Sequence, residues 1–279
     1  MDSTTTPPTD AGDFDIRPFL SAAGALAGLA NVVMQLARPP VGYGVKESRV
    51  TAGSAMLHPL KRTRTTFTYL AVALLGTDDD RRRYRRAVNR QHAQVRSTAT
   101  SPVEYNAFDP ELQLWIAACL YYGLADVLGR VREPPDDQTS EALYRYCARL
   151  GTSLQVHAGM WPADREEFGR YWERSVSELS IDDPVREYLR GLVDLRNLPR
   201  VLSLAFRGTS RFWTTGFLPP ELRDQMGLPW GAARQARFED LLRLIGSLES
   251  VVPVPLRALP LSLLLWDTRL RHRLGLPLV

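Results

Sequence analysis

The chain has 279 residues, of which 44% are hydrophobic, and its formal net charge at pH 7 is +4. This length and apolar content suffice for a globular protein with a sizeable core. The 35 basic residues are nearly balanced by 31 acidic ones, and the arginine-rich run RRRYRR directly follows three aspartates. The composition therefore does not favour a nucleic-acid-binding protein.

The cysteine content, the N-terminal sequence and the apolar runs indicate where in the cell the protein is expected. Cys119 and Cys147 are too few for a disulfide framework and form no CxxC pair, which predicts buried, reduced thiols. Residues 1–14 are rich in Thr, Pro and Asp, which predicts a disordered tail ahead of one domain over residues 15–279. No basic segment leads into an apolar one at the N-terminus, so we expect a cytoplasmic protein. No apolar run reaches the roughly eighteen residues of a transmembrane segment, and peripheral membrane contact would fall to the C-terminal run ALPLSLLLW.

Helical patterns follow one another from the start of the predicted domain. The first pattern runs from Pro18 to Ala37 and is ended by the step Arg38-Pro39-Pro40. Gly24 and Gly28 lie one turn apart in it and would permit close approach of another element. The stretch VGYGVKES then predicts a glycine-bearing connector, and a second helix is predicted over residues 59–75.

The next helix, from about Asp79 to Ser97, carries the most informative residue. Its apolar stripe is Tyr84, Val88, His92 and Val95, at spacings of four, four and three, so His92 points inward. The arginines mostly occupy the other faces. By this local pattern alone, a histidine on an apolar stripe is more often a hydrogen-bonded core residue than a ligand.

The remaining chain is also helical in pattern. Asp109 and Pro110 are typical of an N-cap and first turn, and the helix ELQLWIAACLYYGLADVLG that follows is apolar nearly all round, which predicts the buried central helix. Further helices are predicted over residues 139–150, 163–179, 183–196, 198–207, 220–226 and 232–250, and residues 253–276 are predicted to be helical in pieces. Without repeats or alternating strands, the fold class is all-α with a single multi-helix domain.

Several common functional motifs are absent. The sequence has no GxGxxG, GxxxxGK[ST], GxSxG or HExxH, so nucleotide-binding, serine-hydrolase and zinc-protease functions have no support. His58, His157 and His272 stand at spacings that make no zinc cluster with His92.

Four ordered blocks resemble the DUF2236 family, which contains the latex-clearing rubber oxygenases and the MpaB-type oxygenases. The first is GLANVVMQLARPPVGYGVKES, and the second is HPLKRTRTTFTYLAVALLG, which carries an R-x-x-x-T pair at Arg62 and Thr66. The third, NRQHAQVRS, carries H-x-x-V at His92 and Val95. The fourth, YNAFDPELQLWI, runs to Trp115, and the resemblance spans roughly residues 20–235.

The resemblance implies an all-helical fold with haem b in its interior. His92 would be the proximal iron ligand, and Arg62 and Thr66 would lie near the haem and act in catalysis. Trp115 is expected beside the cofactor, with Leu114 and Cys119 lining an apolar cavity. The implied activity is that of a haem-dependent oxygenase that uses molecular oxygen on an apolar substrate, such as an unsaturated lipid or an isoprenoid.

Two departures from the family pattern and two alternative functions accompany this interpretation. Rubber oxygenases have a lysine where this chain has Thr65, so their distal-pocket chemistry is not transferred, and Ser97 stands where many relatives have glycine.

The first alternative is a non-catalytic haem-binding or sensing protein, for which His92 would suffice. The second is an all-α protein without the cofactor, in which His92 is a core residue.

Overall fold

Every regular element of the chain is a helix in the computed structural model, which describes residues 14–50 and 53–279. The predicted all-α class is therefore confirmed. The predicted N-terminal tail lies outside the described residues except for Phe14. Short 3-10 turns span Arg17–Phe19 and Ala158–Met160. The α-helices, in chain order, are α1 (Ala23–Leu26), α2 (Gly28–Leu36), α3 (Pro39–Lys46), α4 (Pro59–Leu75), α5 (Asp78–His92), α6 (Pro110–Val131), α7 (Asp137–Cys147), α8 (Arg149–Thr152), α9 (Arg165–Ser177), α10 (Asp183–Val193), α11 (Arg200–Phe217), α12 (Pro220–Met226), α13 (Ala232–Ser250) and α14 (Val254–Arg273).

Local sequence sets the start of the helices that position the site. Thr77 and Asp80 form a reciprocal capping box at the start of α5, which satisfies two backbone N–H groups that the helix leaves free. The Asp109 carboxylate accepts from the backbone N–H of Glu111 at 2.8 Å, and Pro110 follows in the first turn of α6.

The core is built around α6, as its apolar sequence predicts. One half of the core contains Trp115 and Cys119 of α6 together with buried residues of α2, α10, α11 and α13, and α6 packs directly on α2 and α13 there. The other half contains Leu114 and Tyr121 of α6 together with buried residues of α4, α7, α8 and α9, and α6 packs directly on α8 there. Because α6 is buried on both faces, it needs no polar stripe. It is the one helix among the described residues long and apolar enough by itself to cross a membrane, and half of its apolar window is buried within the protein.

The C-terminal helix α14 packs along α4. Leu265 joins Ala71, Val72 and Tyr84 in a third buried cluster. The Arg64 guanidinium of α4 pairs with Asp267, and the Arg269 guanidinium pairs with Asp80 at 2.7 Å. The helix therefore covers the outer side of the α4 and α5 pair.

Two predictions for the N-terminal region are wrong. The stretch VGYGVKES is mostly the helix α3 and not a connector, because Pro39 and Pro40 occupy first-turn positions where no N–H is needed and the fixed φ is helical. A Cβ atom on Gly24 or Gly28 would meet nothing within 4 Å, so no element approaches there. The close approach occurs at Gly42, where a Cβ atom would lie 2.6 Å from the carbonyl oxygen of Leu36.

Several helix bounds also differ from the predictions. The helix predicted over residues 198–207 extends to Phe217 as α11, and the one predicted over residues 139–150 is divided into α7 and α8. The first predicted helix is divided into α1 and α2 at Ala27, and α14 is one continuous helix with Pro260 inside it. The histidine helix ends at His92, five residues before the predicted Ser97. It ends early because the following segment leaves the helix to pair with the chain ahead of α6: the Ser97 N–H donates to the Tyr105 carbonyl at 2.8 Å, and the Ala107 N–H donates to the Val95 carbonyl at 2.9 Å.

Candidate functional site

His92 is the last residue of α5, and its ring faces inward, as the periodicity predicts. The side chain is half-buried, and its ring meets Phe108 edge-on with centroids 6.3 Å apart. The pairing of residues 95–97 with residues 105–107 holds Phe108 in this position. The Nδ1 atom of His92 is buried and has no hydrogen-bond partner in the described part of the chain. A buried polar atom without a partner is uncommon and calls for an explanation.

The electrostatic environment keeps the His92 imidazole neutral. Burial lowers the pKa of His92 from 6.5 to about 4, and the positive charge of Arg62 acts in the same direction. At neutral pH the ring is therefore uncharged, which is the protonation state that binds a metal ion.

Arg62 projects from α4 toward the same region. Its side chain is accessible to water, yet burial is the largest cause that lowers its pKa. Both observations hold for a side chain that enters an open space surrounded by protein, because nearby protein atoms then replace much of the bulk solvent. Its guanidinium makes no ion pair or hydrogen bond with any side chain that the structure describes.

Two tyrosines share this environment. Arg62 interacts electrostatically with Tyr84 of α5 and with Tyr188 of α10. The Tyr84 hydroxyl donates to the Thr65 carbonyl at 3.0 Å, which ties α5 to α4. The Tyr188 hydroxyl has no hydrogen bond within the described residues. Tyr84 was identifiable from the sequence as part of the inward stripe, whereas no motif marks Tyr188.

Thr66 lies one turn after Arg62 on the same face of α4, as the spacing predicts. Its hydroxyl donates to the Arg62 carbonyl at 3.0 Å, and the Thr65 hydroxyl makes the equivalent bond to Lys61 at 2.9 Å. In this rotamer the Thr66 proton is used within the helix, and its oxygen remains available as an acceptor.

Trp115 lies inside the packed core. Its side chain is fully buried, its indole N–H donates to the Gln35 carbonyl at 3.1 Å, and its ring stacks on Trp172. Leu114 and Cys119 are also buried, and Leu114 belongs to the other half of the core. None of the three lines either of the two cavities described below, and their role beside the cofactor stays a prediction.

Two open cavities are found at other places. One of about 590 Å³ adjoins the end of α5 and is lined by residues 93–98 together with Glu47, Arg49 and Tyr105. The other, of about 780 Å³, lies between α10, α11 and α13, and neither His92 nor Arg62 lines it. Among the described residues, no group of three or more His, Cys, Asp or Glu side chains could hold a metal ion. Both Cys119 and Cys147 are buried and free, as predicted.

The chain belongs to the family described as ER-bound oxygenase mpaB/B'/Rubber oxygenase, catalytic domain, whose sequence model matches residues 17–247. The resemblance seen in the sequence motifs is thus confirmed. The matched range includes His92, Arg62 and Thr66 and ends before α14.

Two curated relatives are similar over nearly their whole length. They are uncharacterized proteins of Mycobacterium bovis and Mycobacterium tuberculosis, each 52% identical over 246 residues, which cover 88% of this chain and 96% of the relative. No solved structure matches this chain significantly.

Proposed function

We propose that this chain is a haem-b-dependent oxygenase in which His92 is the protein ligand of the iron. The family supports the oxygenase class. The observation that carries the proposal is the His92 ring itself, which is neutral at physiological pH, faces inward and has a buried nitrogen with no partner among residues 14–50 and 53–279.

The residues around His92 suit a haem better than a bare metal ion. Iron in a porphyrin already has four nitrogen ligands and needs only an axial one from the protein, so a single histidine is enough. A bare ion would need several protein ligands, and the described residues provide no such cluster.

Arg62 and Tyr188 would hold the polar parts of the bound molecules. The Arg62 guanidinium has no anionic partner in the described residues, so it is available to bind a haem propionate or a reduced oxygen species. The Tyr188 hydroxyl, which interacts electrostatically with Arg62, makes no hydrogen bond to the described residues, and Thr66 can accept a hydrogen bond on the same face of α4 as Arg62. The haem would supply the activation of oxygen, while the protein controls access, polarity and proton position.

An apolar substrate is favoured by the surface near the start of α4. The Asn197 amide donates to the Ala55 carbonyl at 2.9 Å, which brings the chain ahead of α11 next to the chain ahead of α4. The first turns of the two helices that follow carry exposed large apolar side chains, as does the chain just ahead of α4; these are Leu57, Leu60, Val201, Leu202, Leu204 and Phe206. Such side chains would guide an unsaturated lipid or isoprenoid toward Arg62.

The absorption spectrum tests the iron ligand. The chain expressed with adequate haem supply should carry one b-type haem, and His92→Ala should lose the Soret band or most of its haem. His157→Ala is the matched control, because His157 is exposed and outside the site. Unchanged haem content in His92→Ala would refute the assignment. Full haem content without oxygen consumption on unsaturated lipids would instead indicate a non-catalytic haem protein.

Ligand binding tests the roles of Arg62 and Thr66. Arg62→Gln removes the charge, and Thr66→Val preserves shape while removing the hydroxyl. Both should change carbon monoxide or oxygen binding while leaving the melting temperature within a few degrees, because neither side chain bonds to another element of the fold. Unaltered ligand binding together with a lowered melting temperature would show that both residues have structural roles.

A further inference from the structure

The 780 Å³ cavity between α10, α11 and α13 has the size of a small-molecule site, for which a few hundred to about 1,000 Å³ is usual. His92, Arg62 and Thr66 do not line it. Its lining contains no His, Cys, Met or Tyr, so no side chain there could ligate haem iron. It is therefore separate from the proposed haem site.

The cavity lining carries an excess of positive charge. It has five arginines against two acidic residues. The acidic residues are already used: Asp194, which is buried, pairs with Arg211 at 2.6 Å and with Arg196 at 3.4 Å, and Glu187 pairs with Arg196 at 2.5 Å. Two of the arginines are thus neutralised by the two carboxylates.

The other three arginines have no carboxylate partner among the described residues. Arg190 donates to the Met226 carbonyl at 3.0 Å and Arg234 donates to the Pro229 carbonyl at 2.9 Å. Arg237 lies over the Phe212 ring with its guanidinium carbon 5.9 Å from the ring centroid. Each guanidinium has five N–H donors, so most of these donors remain available to a ligand.

Aromatic rings form the apolar wall beside these arginines. Phe212, Trp213 and Trp230 line the cavity, and the Phe212 ring lies 5.4 Å from each of the two tryptophan rings. The Trp213 indole N–H makes no hydrogen bond within the described part of the chain. A wall of this kind suits a flat apolar body, whereas a small inorganic anion would leave it uncovered.

We propose that this cavity binds an organic anion of the aromatic carboxylate class. The carboxylate would bind Arg234 and Arg237, because planar guanidinium groups match carboxylate geometry and charge. The ring would pack against Trp213 and Trp230. This site is independent of the haem proposal and would accept its ligand whether or not the chain carries haem.

Calorimetric titration of the purified full-length protein with 2-naphthoate tests the proposal. The neutral analogue 2-naphthamide and inorganic phosphate are the comparison ligands. We expect binding of 2-naphthoate, and a loss of about tenfold in affinity for each of Arg234→Gln and Arg237→Gln, since a hydrogen bond to a charged group typically contributes this much. The amide and phosphate should each bind at least about tenfold more weakly, because each lacks one of the two recognised features.

Two control variants make the result specific. Arg243 lies on α13 with Arg234 and Arg237, but it is exposed, pairs with Asp240 and does not line the cavity. Arg243→Gln should therefore bind 2-naphthoate like the wild type. His92→Ala should also retain binding, even if it loses haem. Three results would each overturn the proposal. They are no binding of 2-naphthoate to the wild type, wild-type affinity for 2-naphthoate in both Arg234→Gln and Arg237→Gln, and binding of 2-naphthamide as tight as that of 2-naphthoate. Circular dichroism confirms that each variant is folded.

Discussion

Gly246 lies where α13 crosses the end of α6, and the structure leaves no room for a side chain there. A Cβ atom on Gly246 would stand far inside van der Waals contact with the Val131 carbonyl oxygen, 2.7 Å from the carbonyl carbon and 3.1 Å from the Cα of that residue. All three are backbone atoms, so no rotamer change relieves the contact. In Gly246→Ala, α13 must shift from α6 by about 1 Å or more to restore ordinary separation.

Two opposing effects determine how much Gly246→Ala changes the free energy of unfolding. Overpacking typically costs about 1–3 kcal/mol and sometimes more, whereas alanine recovers about 1 kcal/mol of helix propensity over glycine. Because the clash is with backbone, we place the overpacking at its upper end and expect a net loss of about 2 kcal/mol. This lowers the melting temperature by about 3–4 °C in a domain of this size.

Thermal unfolding followed by circular dichroism measures the effect, and Gly129→Ala is the control. Gly129 lies in α6 itself, and a Cβ atom there would meet nothing within 4 Å. That variant should be more stable than the wild type by about 0.5–1 kcal/mol. If Gly246→Ala were as stable as the wild type, or if both variants shifted in the same direction, the close contact between α6 and α13 would be refuted.

Three further predictions concern the parts that support the site. Leu265→Ala should lower the free energy of unfolding, measured in urea, by about 2–4 kcal/mol, because it leaves a cavity where α14 packs on α4. A loss below about 1 kcal/mol would mean that α14 packs loosely. Asp80→Ala should lower the free energy of unfolding by about 1–2 kcal/mol in the same assay, since it removes half of the capping box of α5 and the partner of Arg269. An unchanged free energy of unfolding would contradict both roles. Burial raises the pKa of the Cys147 thiol to about 12 and that of Cys119 well above its usual value, so a thiol reagent should label neither before unfolding; rapid labelling of the native chain would disprove their burial.

Helix starts were predictable where a proline or a capping side chain marks the first turn. The predicted bounds of α4 and α12 begin at Pro59 and Pro220, and α6 begins at Pro110 behind the Asp109 cap, as the structure has them. The bounds of α13 match as well, although no side chain caps its start. The proline and cap signals are local, because a proline fixes its own φ and the Asp109 carboxylate accepts from an N–H group only two residues away. The inward phase of His92 is likewise local, since it follows from the helical period alone.

Helix ends and breaks depended on distant parts of the chain. No glycine or proline directly after His92 ends α5; the helix stops because residues 95–97 bond to residues 105–107. Pro260 favours a break in α14, yet the helix continues along α4 with Leu265 buried. Tertiary packing there outweighs the local preference of the residue.

The sequence by itself determined the all-α class, the family, and the choice of His92, Arg62 and Thr66, because these follow from periodicity and motif spacing. Only the tertiary structure decided what surrounds them. It brings Tyr188 to Arg62 and buries Trp115 in the packed core. It also gathers the arginines and tryptophans of the 780 Å³ cavity from α10, α11, α13 and the loops after α10 and before α13. Such groupings join residues far apart in the chain, and their proximity arises from the packing of whole helices, which no local pattern encodes.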